Sequence, residues 1–170
     1  MRRGAAGLNP VQWLAVPMLM CIVAAILLAA PLRVFGFQAP EPMWAMVPAF
    51  AWGVIRPSVL APFGLLILGL FFDGFWGGPI GLWALALLVV YAVVIALRNI
   101  LSGQSRAMML AWYAGCTALA MGVGYAFMII SELGRPSPLA MFWQFLITVA
   151  LFPAADWLIE RFEDSDVRFR

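Results

Sequence analysis

The fold is decided by residues 43–72, which read MWAMVPAFAWGVIRPSVLAPFGLLILGLFF. A single helix over this run would be about 45 Å long, whereas the hydrocarbon core of a bilayer is about 30 Å thick. The dipeptide Arg56-Pro57 stands near the middle of the run, and proline removes a helical hydrogen bond and kinks or ends a helix. We therefore predict two short helices, over 43–55 and 58–72, with a reversal of the chain at Arg56-Pro57. Two short crossings of a membrane and a re-entrant hairpin are both compatible with this pattern.

The composition predicts an integral membrane protein. Of 170 residues, 65% are hydrophobic and 11% are charged, and the mean hydropathy is +1.00. A soluble domain has about 45–50% apolar and about 25% charged residues, and one globular domain of this length cannot bury so large an excess of apolar surface. We expect the apolar surface to face lipid, in a single transmembrane domain over 1–170.

The sequence lacks the residue types that several kinds of catalytic and metal-binding site require. The chain has no histidine, and its two cysteines, Cys21 and Cys116, lie in apolar runs. These absences argue against Ser–His proteolysis, zinc and other His/Cys metal sites, and a disulfide framework. The net charge of +2 predicts no nucleic-acid surface. We therefore expect no catalytic residues, no metal and no cofactor.

Charged residues and Pro/Gly breaks divide the chain into six apolar segments. They cover 12–30, 43–55, 58–72, 80–97, 107–130 and 139–159. They predict an all-α, six-helix transmembrane bundle with short second and third helices, followed by a charged tail over 160–170. We interpret the first segment as a retained helix, because it is too long for the apolar core of a signal peptide and five more segments follow.

The arginines predict the orientation of this bundle, because arginine-rich loops stay on the cytoplasmic side. If all six segments cross, eight arginines lie inside and only Arg33 and Arg135 lie outside. If the second and third segments are one span, three arginines lie inside and six outside. We therefore expect an even number of passes, with both termini and the charged tail in the cytoplasm.

Asp73 is the most unusual position, since it is the only charged residue between Arg56 and Arg98. Three interpretations are open: a cap on a turn or on the following helix at the membrane interface, a contact with an arginine or a backbone amide inside the bundle, and proton or substrate chemistry. A catalytic pair with Asp156 would need facing carboxylates, whereas the predicted topology places these two acids on opposite sides.

The residues after Asp73 predict a tight structural turn. Gly74, Gly77, Gly78 and Gly81 permit positive φ and close backbone approach, and Pro79 is tolerated near the start of a helix. A phosphate-binding loop would need a following Lys and Ser/Thr, which this sequence lacks.

Residues 56–82 resemble the MreD family of rod shape-determining proteins. In that family an Arg-Pro turn between two short helices precedes a Gly-Leu-x-x-Asp run and a Gly-Gly-Pro-x-Gly-Leu loop. The matching positions are Arg56, Pro57, Gly69, Asp73, Gly77, Gly78, Pro79 and Gly81. We treat them as candidate structural or partner-contact residues.

The resemblance implies a non-enzymatic, multi-pass subunit of the bacterial cell-elongation machinery in the cytoplasmic (inner) membrane. Members act with the single-spanning MreC, the actin-like MreB, and the RodA glycosyltransferase with its transpeptidase partner in lateral peptidoglycan synthesis. The family is similar in fold to the S components of energy-coupling-factor transporters.

Small residues at helical spacing, such as Ala114, Ala118 and Gly122, permit close helix contact in lipid. We therefore hypothesise a membrane scaffold that docks the helix of a single-spanning partner. A homodimer, and a substrate-binding S component of a vitamin transporter, are the alternatives.

Overall fold

A computed structural model describes residues 10–28, 33–34, 37–38, 42–55, 58–101, 103–132 and 137–167, with side chains over 13–27, 42–55, 58–101, 103–132 and 137–161. The described residues form helices and one hairpin of two strands, each of them two residues long. The elements are α1 (Pro10–Leu28), β1 (Arg33–Val34), β2 (Phe37–Gln38), α2 (Met46–Ile55), α3 (Leu60–Phe75), α4 (Leu82–Leu101), α5 (Arg106–Ile130), α6 (Pro138–Val149) and α7 (Phe152–Val167). The strands are antiparallel, with Arg33 opposite Gln38.

The predicted segment over 139–159 lies within one long apolar stretch, Pro138–Arg161, but it is not an uninterrupted helix. Its backbone is broken between α6 and α7, where the Leu151 N–H donates to the Thr148 carbonyl in a tighter turn, 3.0 Å away. Pro153 explains the break, since it has no N–H and its ring conflicts with the carbonyl four residues earlier. The backbone of the predicted tail is helical as far as Val167.

Three stretches of the described chain are long and apolar enough to cross a membrane: Leu82–Leu101, Arg106–Ile130 and Pro138–Arg161, which includes the break. Large apolar side chains also cover the outward faces of the helices, among them Leu27 (71% exposed) and Phe63 (60% exposed). Soluble proteins rarely expose contiguous apolar patches beyond a few hundred Å². Together these features indicate a membrane protein.

Helix α4 lies at the centre of the molecule and packs against α2, α3 and α5. Helix α2 also packs on α7, whereas α6 packs mainly on α5 and α1 on α3. Helix α2 is buried over most of its length, and its Phe50 ring meets the Tyr113 ring of α5 edge-on, with centroids 5.3 Å apart. By contrast, Thr148 is the only buried residue of α6.

The contacts along α4 establish the directions of α2 and α3. Helix α3 runs antiparallel to α4, because Ser58, just before α3, bonds Tyr91, whereas Asp73 near its end bonds the first turn of α4. Helix α2 runs parallel to α4. The residues before it, including Trp44, line a cavity with Trp83, and its last turn is bonded by Arg98.

The chain therefore reverses direction between α2 and α3, as predicted. Arg56 and Pro57, the residues to which we assigned the reversal, lie outside the described residues. The α2–α3 hairpin turns level with the stretch from Tyr91 to Arg98, before the end of α4 at Leu101. Helix α2 has 10 residues and α3 has 16, so their lengths are about 15 and 24 Å.

Candidate functional site

The Asp73 carboxylate joins the end of α3 to the start of α4. Its Oδ2 accepts a hydrogen bond from the Gly81 N–H at 2.7 Å, and its Oδ1 accepts one from the Trp83 N–H at 2.9 Å. Gly81 directly precedes α4 and Trp83 lies in its first turn, where N–H groups have no partner within the helix. A negative charge there also complements the helix dipole.

Asp73 is 1% exposed. Of the three interpretations of this residue, capping of the following helix and contact with backbone amides are confirmed. The cap is buried rather than set at an exposed interface.

The backbone of Asp73 closes the end of α3. Its carbonyl accepts from the Gly78 N–H at 3.0 Å, and the Phe72 carbonyl accepts from the Trp76 N–H at 3.0 Å. The second bond is an ordinary helical one, whereas the Gly78–Asp73 bond is the longer bond of a Schellman motif, which places a left-handed residue, usually glycine, just after the helix. Gly77 occupies that position, with φ +64.

Of the four glycines predicted to form the turn, Gly74 lies inside α3 instead, and two have the positive φ that we expected. They are Gly77 and Gly81, the latter with φ +98. Gly74 and Gly78 do not, and an added Cβ would meet nothing within 4 Å at Gly74 and only the Asp73 carbonyl at 4.0 Å at Gly78. The Pro79 carbonyl accepts from the Leu82 N–H at 3.2 Å, which begins α4. The tight structural turn is confirmed.

Gly69 lets the backbones of α3 and α4 touch. A Cβ at this position would lie 2.4 Å from Ala84 Cα and 2.5 Å from Ala84 N. Because backbone atoms cannot rotate away as a side chain can, only glycine fits here without separating the helices.

Sequence reasoning missed two residues that fix α2 on α4. Arg98 Nε and Nη2 donate to the carbonyls of Val54 and Ile55, both at 3.2 Å, and so satisfy the last turn of α2. A Cβ at Gly53 would lie 2.6 Å from Val94 Cγ1. Arg98 bonds residues 43 and 44 positions earlier, so no local signal points to this cap.

The charged side chains of α5 and α7 meet at the opposite end of the bundle. Arg106 Nε lies 3.6 Å from Asp156 Oδ2, and Arg106 Nη2 contacts Glu160 Oε1. We call this the Arg106 end, and the other the Asp73 end. Asp73 bonds the first turn of α4, a helix of about 30 Å, whereas Arg106 follows its last turn. Asp73 and Asp156 therefore lie at opposite ends and form no catalytic pair.

Two cavities lie side by side at the Asp73 end. One, of about 260 Å³, lies between the starts of α2 and α4, the end of α3, and α6. Its lining is mainly aromatic and apolar: Pro42, Met43, Trp44, Ala45, Phe72, Trp76, Trp83, Leu87 and Gln144. The other, of about 230 Å³, which we call the Asp73 cavity, lies among the α3–α4 loop, α5 and α6. The two share Trp83 and Gln144 as walls.

No family model matches the chain, and no curated protein or solved structure matches it. The likeness to the MreD family therefore rests on the motif quoted above.

The six described motif residues form one helix connection. Gly69 brings α3 onto α4, Asp73 bonds both helix ends, and the loop residues Gly77, Gly78, Pro79 and Gly81 make the turn. Arg56 and Pro57 lie outside the described residues. Among the described residues, no group of three or more His, Cys, Asp or Glu is placed to hold a metal ion. What this arrangement does is fix the spacing and direction of two apolar helices.

Proposed function

We propose that this chain is a non-enzymatic scaffold of the bacterial cell-elongation machinery that docks the transmembrane helix of a single-spanning partner. The observation that carries the proposal is a stripe of small residues on the outer face of α5. It consists of Ala111, Gly115, Ala118 and Gly122, all of them exposed. Small residues spaced three or four apart permit close backbone approach between helices in lipid.

Among the described residues, nothing packs closely against the two glycines of the stripe. An added Cβ at Gly115 or Gly122 would meet nothing within 4 Å. Glycine in a helix costs about 1 kcal/mol relative to alanine, so the two glycines weaken α5 without a compensating close contact to the described part of the chain. A helix from another chain would supply that contact.

The MreD-like motif supports the same proposal, because its described residues build a fixed connection between two helices. By the resemblance, the partners are MreC, MreB, and RodA with its transpeptidase. We further propose six membrane crossings, with α2 and α3 as short ones, in the inner membrane. Arg98, Arg106 and Arg161 then lie towards the cytoplasm, as the positive-inside rule requires.

Co-purification tests the proposal. The tagged chain is extracted from a rod-shaped host in mild detergent, and its partners are identified by mass spectrometry. We expect a single-spanning protein with a large periplasmic domain. The amount of this partner recovered with the chain should fall at least tenfold in the double variant Gly115→Leu/Gly122→Leu. Recovery should be unchanged in Ala92→Leu, which adds the same side chain at an exposed position of α4.

Depletion of the chain from the same host gives a second readout, and we expect rods to become round. A chain that always elutes alone, and whose depletion leaves cell shape unchanged, would contradict the proposal. Partner recovery that survives both leucines would exclude the α5 stripe as the docking face.

The two cavities at the Asp73 end favour a second candidate, a substrate-binding S component. Such a protein needs a pocket on the outer side with polar groups converging on it. Asp73 and Gln144 line the Asp73 cavity. A vitamin-like molecule retained through purification and identified by mass spectrometry, without any single-spanning partner, would favour this candidate.

A further inference from the structure

A groove lies between α1 and α7, with α2 as its floor. Helix α1 lines it with Cys21 and Ala24, and helix α2 lines it with Val47. Helix α7 lines it with Ala154 and Trp157. The volume of the groove is about 120 Å³. Because Trp157 is 54% exposed, the groove opens towards the surroundings of the molecule.

The lining of the groove is apolar. Among the described residues that line it, Cys21 has the one thiol, which donates to the Trp44 carbonyl 3.4 Å away. The other lining side chains are hydrocarbons, a thioether and two indoles. An α-helix is about 10–12 Å across with its side chains, so it cannot enter a volume of about 120 Å³. A single hydrocarbon chain can enter it, and the bilayer around a membrane protein supplies such chains.

The face of α7 that lines the groove continues to a positive charge. Ala154, Trp157 and Leu158 all line the groove. Arg161 continues their spacing of three and four residues, so it lies on the same face of the helix. Arg161 is exposed, and Glu160, which carries an ion pair at this end, lies about 100° away around the helix. The groove face of α7 therefore ends in a guanidinium group.

The depth of Arg161 in a bilayer matches that of a phosphate. Arg161 is the last residue of the apolar stretch Pro138–Arg161, which places it where the hydrocarbon ends and the headgroups begin. Ala154 precedes it by seven residues, or about 10 Å of helix, and half of the hydrocarbon core is about 15 Å thick. Trp157 lies between them, and tryptophan is enriched at the membrane interface. The groove and Arg161 therefore face the same leaflet.

We propose that this groove binds one phospholipid of that leaflet, with an acyl chain between α1 and α7 and the phosphate on Arg161. A guanidinium group has five N–H donors in a fork that matches phosphate oxygens. Arg161 can therefore bind a phosphate in addition to a partner within the chain. This inference does not depend on the docking of a partner helix by α5, because no described residue of α5 lines the groove.

Native mass spectrometry of the purified full chain, stripped of lipid in detergent, tests the proposal. The probes are phosphatidylglycerol, the diacylglycerol with the same chains, which lacks the phosphate, and glycerol phosphate, which lacks the chains. We expect one phosphatidylglycerol per chain, with saturation. Its retention should exceed that of diacylglycerol at least tenfold, and glycerol phosphate should not be retained.

Variants locate the bound lipid. Ala154 is exposed as well as lining the groove, so Ala154→Phe should fill the groove without overpacking the core and should lower lipid retention at least fivefold. Ala92→Phe adds the same ring at an exposed position of α4 and should leave retention unchanged. Arg161→Gln should lower the retention of phosphatidylglycerol to that of diacylglycerol. Arg161→Lys should keep most of it, because an ammonium group also binds phosphate.

Several outcomes would overturn the proposal. They are equal retention of phosphatidylglycerol and diacylglycerol, retention that survives Ala154→Phe or Arg161→Gln, and no retained lipid at all. A lipid-free dimer that Ala154→Phe dissociates would also overturn it, because the groove would then belong to the contact with a second copy of the chain.

Discussion

At the scale of the residue, Asp73 is a charged group that the fold uses in three hydrogen bonds. Its carbonyl closes α3, and its two carboxylate oxygens cap α4. A buried charge without partners is very costly, and the amides together with the dipole of α4 offset that cost. Asp73 is therefore required to join the end of α3 to the start of α4.

Asp73→Ala should destabilise the chain by about 1–3 kcal/mol, because it leaves the partly buried amides of Gly81 and Trp83 without their acceptor. The stability of Asp73→Asn should fall between those of the parent and Asp73→Ala, since the asparagine side chain has one oxygen that can accept in place of two. Unfolding in detergent, by heat or by a denaturing detergent, measures the effect. Glu132→Gln is the control, because it removes the charge of an exposed acid and should change stability by less than about 0.5 kcal/mol. Equal effects of Asp73→Asn and Glu132→Gln would mean that the cap does not stabilise the fold.

Two tyrosine hydroxyls give opposite expectations. The Tyr113 hydroxyl is buried without a hydrogen-bond partner among the described residues. The Tyr91 hydroxyl, by contrast, donates to the Ser58 carbonyl and accepts from the Ser58 N–H. Tyr113→Phe should leave stability unchanged or raise it, whereas Tyr91→Phe should lower it by about 1 kcal/mol. The two midpoints measured side by side check this, and a loss at Tyr113 equal to that at Tyr91 would show that the Tyr113 hydroxyl has a partner.

At the scale of the element, glycine has two different uses. At Gly53 and Gly69 it allows α2 and α3 to touch α4, and at Gly77 and Gly81 it allows a positive φ. Neighbouring glycines such as Gly74 serve neither purpose in the described structure. The distinction is visible only once the helices are packed.

Gly69→Ala should destabilise the chain by about 1–3 kcal/mol or more, since overpacking against a backbone forces α3 and α4 apart. Gly74→Ala in the same helix is the matched control. An added Cβ there meets nothing within 4 Å, so it should be neutral or gain up to about 1 kcal/mol of helix propensity. The signs of the two midpoint shifts are the test, and a neutral Gly69→Ala would mean that the helices are not in backbone contact.

The sequence predicted the elements whose signals are local and missed those whose signals are not. The length limit and Arg56-Pro57 were enough for the α2–α3 reversal, and the glycine-rich run was enough for the α3–α4 turn. The break before α7 was missed because Pro153 stands inside a continuous apolar run. Arg98 was missed because its bonds join α4 to the last turn of α2. A single sequence does not reveal which residues so far apart along the chain are in contact.

At the scale of the whole molecule, the two ends of the bundle differ in character. The Arg106 end carries the ion pairs of Arg106 with Asp156 and Glu160. The Asp73 end carries the two cavities described above, and half of the residues that line them are aromatic or methionine. In the proposed orientation the Arg106 end, near which Arg98 and Arg161 also lie, faces the cytoplasm.

This polarity predicts which connections can be labelled from outside intact cells. Ile80, in the α3–α4 turn, is 81% exposed, and Glu132, after α5, is exposed as well. Both belong to the Asp73 end, whereas the exposed Gln104 follows α4 at the Arg106 end. In a chain whose two native cysteines are replaced by alanine, Ile80→Cys and Glu132→Cys should react with a membrane-impermeant thiol reagent. Gln104→Cys should react only after the cells are opened.

The same measurement tests whether the chain crosses an even number of times after α4, because it relates the α4–α5 connection to the last helix. Glu160 pairs with Arg106, so Glu160→Cys should be protected in intact cells as Gln104→Cys is. Labelling of Glu160→Cys from outside, with Gln104→Cys still protected, would place these two neighbours on different sides and would contradict the fold itself. Labelling of both, with Ile80→Cys protected, would keep the fold but invert its orientation. The arginine count would then no longer support a cytoplasmic position for the chain ends.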